Sequence, residues 1–104
     1  MSETFIDQPL FTSSGERIGN VTDAIVDPWN LQPEWLAVKT GRFGRPSLVP
    51  AAAVAHQGDT LVARFNKDDV KSAPKTKELS APTLEERKAL YGHFGLPVPP
   101  SGQN

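Results

Sequence analysis

The sequence predicts a mainly β fold, a small closed or partly open antiparallel β-barrel followed by a short C-terminal helix. Three observations predict it. Up to about residue 66 the chain is rich in β-branched and aromatic residues; turn signals divide that stretch at short intervals; and no helical pattern longer than one turn interrupts it. The last point excludes a βαβ parallel sheet. With 104 residues, 38% hydrophobic and 22% charged, the chain holds one domain with one modest core.

Each element follows from local chemistry. Leu10 to Thr12 is a short extended segment closed by Ser13-Ser14-Gly15-Glu16, where glycine supplies the positive φ of a tight hairpin. Arg17 to Asp27 is the longest strand, with Val21, Asp23 and Ile25 on one side and Thr22, Ala24 and Val26 on the other. Ile18 is out of phase with Val21 and Ile25, so a β-bulge is expected at Gly19. After the Pro28–Pro33 connection, Glu34 to Thr40 forms a strand in which Trp35 and Ala37 alternate with Leu36 and Val38. Both faces are apolar, which predicts a strand covered on each side, by the barrel interior and by something packed outside.

Gly41 to Pro46 is a loop, and Ser47 to Val49 a brief strand ending at Pro50. Ala51 to Val54 makes a single helical turn. Gln57-Gly58-Asp59-Thr60 is a hairpin signal, followed by a strand in which Leu61, Ala63 and Phe65 alternate with Val62 and Arg64. Asn66 caps a short helical turn through Lys67 to Val70. A polar linker then leads to Thr83-Leu84-Glu85-Glu86, a capping box that starts a helix at Leu84. Its expected apolar stripe is Leu84, Leu90, Tyr91 and Phe94, with Glu85, Arg87 and Lys88 off it. Gly92 or Gly95 ends the helix, and Pro97, Pro99 and Pro100 bar its continuation. The last residues, Pro99 to Asn104, are expected to be mobile.

Charge and motif content exclude several functions. Eleven basic and twelve acidic residues provide no global field for nucleic acid or anionic lipid. The absence of cysteine removes disulfides, thiolate metal sites and a cysteine nucleophile, and fits a cytoplasmic protein. The longest apolar run, Leu48 to Ala55, is far short of the roughly 20 residues of a membrane span, so no membrane insertion is expected. His56 and His93 lack the spacing of a zinc motif, and Asp23 reads as a carboxylate ordering its own strand. Ser13, Ser14 and Ser47 sit outside any nucleophile elbow, and Gly41-Arg42-Phe43-Gly44 does not continue into a phosphate-binding helix start. No catalytic residue, metal or cofactor is expected, and the chain reads as non-enzymatic.

Two groups of residues carry binding signals. Trp29, in a proline-bounded connection, and Tyr91 and Phe94, on the C-terminal helix, are candidate partner-binding residues. Tyr91 and Phe94 either clamp the helix onto its own barrel or seal a neighbouring subunit by exchange of the tail. Lys39, Arg42, Phe43 and Arg45 form one basic loop with an embedded ring. That loop is the alternative site, for single-stranded RNA or an acidic partner, with few charges to hold phosphate.

The string Gly15-Glu16-Arg17-Ile18-Gly19-Asn20-Val21-Thr22-Asp23, followed by Ile25 to Pro28, Trp35 to Val38, Leu48-Val49-Pro50 and Leu61 to Val70, resembles the PRC-barrel family. That small barrel is shared by the photosynthetic reaction-centre H subunit and the ribosome maturation factor. The resemblance covers residues 9–73 and divides the chain into an N-terminal segment (1–8), the barrel, a polar linker (74–82), the helix (83–96) and a tail (97–104). It implies a docking or assembly module, often dimeric when it stands alone, with no catalytic constellation. The expected partners are a second copy of this chain and a further, unidentified protein.

Overall fold

The computed structural model describes residues 6–26, 31–41, 45–58, 60–76 and 82–97. Six strands follow in order: β1 (Pro9–Thr12), β2 (Arg17–Val26), β3 (Pro33–Lys39), β4 (Ser47–Pro50), β5 (Val54–Gln57) and β6 (Thr60–Ala63). Two α-helices, α1 (Lys67–Lys71) and α2 (Leu84–His93), follow among the described residues. The strands form one sheet in the order β4-β3-β2-β1-β6-β5.

The expected hairpin after β1 is present. The Thr12 amide donates to the Glu16 carbonyl at 2.8 Å and the Gly15 amide to the Thr12 carbonyl at 3.0 Å, which turns β1 back onto β2. The all-antiparallel expectation needs correction, because β1 and β6 pair in parallel, Leu10 opposite Leu61 and Thr12 opposite Ala63. Its cause lies at Pro50, after which Ala51–Ala53 form a 3₁₀ turn. That turn rounds a corner instead of folding a hairpin, so β4 and β5 do not pair, and β6 arrives running the same way as β1. The sheet is therefore mixed, and its described strands are not closed into a ring by hydrogen bonds. It nevertheless curls: Leu10, Ile18, Val21, Leu36, Val38, Val49, Leu61 and Ala63, drawn from five strands, share one buried core, with Val54 of β5 packed against it. The strand β5 itself completes the Gln57–Thr60 hairpin signal, whose first arm the sequence left unassigned.

Register explains which side chains face inward. On β2, Leu10 pairs with Gly19 but Phe11 with Arg17, so Ile18 is an inserted residue that joins Val21 in the core. The bulge expected at Gly19 thus falls one residue earlier, at Ile18, while Gly19 itself pairs with Leu10. A second insertion, Thr22, lies between Val21 opposite Val38 and Asp23 opposite Ala37. It reverses the phase, so Ile25 packs on the outer cluster while Val21 belongs to the inner one. The expectation that Val21, Asp23 and Ile25 share one side fails there, since an inserted residue is invisible to strict alternation.

Strand β3 is covered on both faces, as its sequence predicts. Leu36 and Val38 belong to the inner core, whereas Trp35 and Ala37 join Leu48, Ala73, Leu90 and Tyr91 in a second cluster outside the sheet. Both helices start where expected. Asn66 and Asp69 exchange reciprocal side chain–backbone bonds of 2.9 and 3.1 Å, and Thr83 and Glu86 do the same at 3.1 and 2.8 Å. The end of α2 is a Schellman motif. The Leu96 amide reaches the Tyr91 carbonyl at 2.9 Å and the Gly95 amide reaches Gly92 at 3.1 Å, with Gly95 at φ +73°. The stripe on α2 is not the expected one. Leu84 is 63% exposed, and the face turned to the sheet is Arg87, Leu90, Tyr91 and Phe94, the i, i+3, i+4, i+7 set that starts one turn later.

Candidate interaction site

The outer cluster is organised by a third register shift. Ile25 pairs with Trp35 and Val26 with Pro33, which leaves Glu34 as the inserted residue of β3. In a regular strand Glu34 and Trp35 would point to opposite faces. The bulge instead turns the Glu34 carboxylate to the side of Trp35, toward α2. There Oε2 accepts from Arg87 Nε at 2.7 Å and from the Tyr91 hydroxyl at 3.0 Å. Arg87 and Glu34 keep only 12% and 17% of their side-chain surfaces exposed, so both hydrogen bonds lie largely out of water. The Arg87 guanidinium carbon also lies 5.5 Å from the Tyr91 ring centroid, and that ring meets Trp35 at 4.6 Å, tilted by 44°.

The far end of α2 is fastened differently. Phe94 is half-buried at the junction of the two clusters, 4.9 Å from Phe65. His93 Nε2 donates to the Asp69 carbonyl at 2.8 Å and lies 3.3 Å from Ser72 Oγ, which ties α2 to α1. Between the helices, Ala73 and Thr76 are buried, Lys75 donates to Ser47 Oγ at 2.9 Å, and an Arg45 guanidinium nitrogen donates to the Thr76 carbonyl at 3.0 Å.

Of the sequence-derived candidates, Tyr91 thus lies in the outer cluster and Phe94 at the junction of the two clusters, both packed on their own chain. Trp29 lies outside the described residues, as do Arg42 and Phe43 of the basic loop. The two described members of that loop diverge: Arg45 engages Thr76, while Lys39 borders an open groove of about 540 Å³ with Asp7, Arg17 and Asn20. Asp23 accepts from the Ala24 amide at 2.9 Å, in keeping with a local ordering role. Among the described residues, no three of His, Asp and Glu gather as a metal set, and no helix is long and apolar enough to cross a membrane.

Glu34 and Arg87 escaped the sequence reading. Arg87 is expected off the apolar stripe, yet its spacing from Leu90, Tyr91 and Phe94 puts it on the buried face, where its long side chain packs against Glu34 and Tyr91. Glu34 carried no comparable signal, since its orientation depends on a bulge set by tertiary pairing.

No curated protein shows significant similarity to the chain. A family model for the PRC-barrel domain matches residues 2–70, a span that takes in all six strands and most of α1 and leaves α2 outside. The match covers well over half of the sequence, and the chain belongs to the PRC-barrel domain family.

Proposed function

We propose that the protein is a non-catalytic interaction and assembly module that self-associates, most simply as a homodimer, and carries a further protein partner. Family membership favours a domain-mediated association role. The inside of the curled sheet supports the same reading, since it is filled by side chains such as Leu10, Val21, Leu36 and Leu61, which leaves recognition to the exterior.

One observation carries the proposal. Leu31, in the connection from β2 to β3, is 75% exposed and holds φ +60°. A left-handed leucine costs about 1–2 kcal/mol relative to ordinary backbone, and asparagine or glycine occupies that region with less strain. Leu31 therefore strains the fold while burying little of itself. Val26, at the end of β2, is also exposed, and the sequence places Trp29 between them. An apolar residue kept at a local disadvantage on the surface is accounted for by a contact outside the chain.

Leu31→Asn separates the two roles. Sedimentation equilibrium of the wild type from micromolar to millimolar concentration is expected to show a monomer–dimer equilibrium, weakened at least about tenfold by Leu31→Asn. The same substitution is expected to raise stability to urea by about 0.5–1 kcal/mol. A wild type that stays monomeric throughout, or an association constant unmoved by the substitution, contradicts the proposal.

A further inference from the structure

Where the start of β4 meets the segment that follows α1, two hydrogen bonds cross. An Arg45 guanidinium nitrogen donates to the Thr76 carbonyl at 3.0 Å, and Lys75 Nζ donates to Ser47 Oγ at 2.9 Å. Arg45 and Ser47 are two positions apart and Lys75 and Thr76 are neighbours, so these bonds gather a guanidinium, an ammonium and two hydroxyls into one patch. Arg45 and Lys75 are exposed, while Ser47 and Thr76 keep only 5% and 4% of their surfaces, which gives the patch a cationic mouth and a hydroxyl floor. Pro46 and Pro74 fix φ beside it on each segment.

One atom there is unexplained by the fold. Thr76 Oγ1 is buried and has no hydrogen-bond partner among the described residues. A hydroxyl sealed without a partner costs free energy, which is recovered when something outside the chain bonds to it. Its neighbours have donors to share. Lys75 spends one of its three protons on Ser47, and Ser47, accepting that bond, keeps its own proton to give. Every side-chain group of the patch can therefore donate, and the two cations balance the charge of a phosphate monoester near neutral pH, whereas a carboxylate carries a single charge.

We propose that this patch binds a terminal phosphate group, which inserts between Lys75 and Ser47 and brings an acceptor to Thr76 Oγ1. The ammonium and the Ser47 hydroxyl each exchange the bond between them for one to the anion, and Arg45 supplies the second charge from its anchor on the Thr76 carbonyl. A terminal group reaches the floor with three oxygens; the diester of a nucleic acid has two, with chain on either side. Free phosphate and a phosphorylated side chain of another protein share this chemistry. Nothing in the site depends on self-association.

The test follows the amide chemical shifts of the full chain, labelled with nitrogen-15, as inorganic phosphate is added near neutral pH at constant ionic strength, with acetate as the control. Phosphate is expected to move the Ser47 and Thr76 amides with a Kd in the millimolar range, roughly, and acetate is not. Thr76→Val and Lys75→Gln are each expected to weaken binding at least about fivefold. Thr76→Val is also expected to raise Tm in phosphate-free buffer by about 5 °C and to lose most of the rise that phosphate gives the wild type. Lys75 is exposed, so Lys75→Gln decides alone if Thr76→Val fails to fold. O-phosphoserine binding tighter than inorganic phosphate assigns the group to a phosphorylated side chain, and binding no tighter assigns it to the free ion. No saturation by phosphate, equal shifts with acetate, or an affinity that both variants leave unchanged overturns the proposal. A folded Thr76→Val protein of lower Tm in phosphate-free buffer also overturns it, since the hydroxyl then has a partner without the anion. So does movement of the same amides by single-stranded RNA but not by phosphate.

Discussion

Gly19→Ala tests whether the β2 bulge and the crossing of β2 over β3 are as described. A Cβ built at Gly19 would lie 2.3 Å from the Lys39 carbonyl oxygen and 3.0 Å from both the Lys39 carbonyl carbon and Thr40 Cα. Ordinary contact begins at 3.4 Å, so the two strands must part by about 1 Å, and every obstructing atom is backbone that no rotamer change can move. Forcing extra volume into a packed site costs about 1–3 kcal/mol, with rigid surroundings at the upper end. Alanine returns about 0.5–1 kcal/mol by restricting the unfolded chain. The net expectation is a loss of about 2 kcal/mol, or roughly 10 °C in Tm for a domain of this size. Gly41→Ala is the matched control: its Cβ meets nothing within 4 Å and its φ is not positive, so it should be neutral or slightly stabilising. Urea unfolding followed by tryptophan fluorescence and circular dichroism measures both. A Gly19→Ala protein within 0.5 kcal/mol of wild type refutes the close approach and the register derived from it.

Further outcomes follow from the same geometry. Replacing Arg87 with methionine should destabilise the protein by about 2 kcal/mol. A double-mutant cycle of Glu34→Gln with Tyr91→Phe should show about 1 kcal/mol of coupling in urea unfolding, since both substitutions act on one carboxylate oxygen. Leu84→Ala should change stability by less than about 0.5 kcal/mol, because the side chain lies largely in solvent. Thr83→Ala should lower the stability of α2 by about 1 kcal/mol, read as faster exchange of the Leu90 and Tyr91 amides. Arg45→Ala should cost about 1 kcal/mol through the lost bond to Thr76 and leave any weak binding of single-stranded RNA unchanged across two salt concentrations.

The parts of the fold governed by local chemistry were legible in the sequence. Asn66 and Thr83 announce their helices because a capping box is written in four consecutive residues. The two-faced character of Glu34 to Thr40 is visible because alternation places Trp35 and Ala37 opposite Leu36 and Val38. What stayed hidden depends on pairing between distant segments. The phase clash of Ile18 with Val21 signals a bulge, expected at Gly19 and found one residue earlier, whereas Thr22 gives no such signal because it fits an exposed position in either register. The parallel β1–β6 pair follows from the corner at Pro50, and a proline after a strand signals an end without signalling the direction that follows. The Glu34–Arg87–Tyr91 arrangement joins residues more than fifty positions apart through a bulge, so only half of it, the Arg87 spacing, was written locally.

Native-state hydrogen exchange addresses the central claim most directly: the curled body folds around its own filled core, and α2 is a cover fastened outside it. The Leu36 and Val38 amides of β3 should exchange only through global unfolding. The Leu90 and Tyr91 amides should exchange through an opening at least about 1 kcal/mol less costly, with β3 still protected. A single free energy shared by α2 and β3 would make them one cooperative unit and contradict the account.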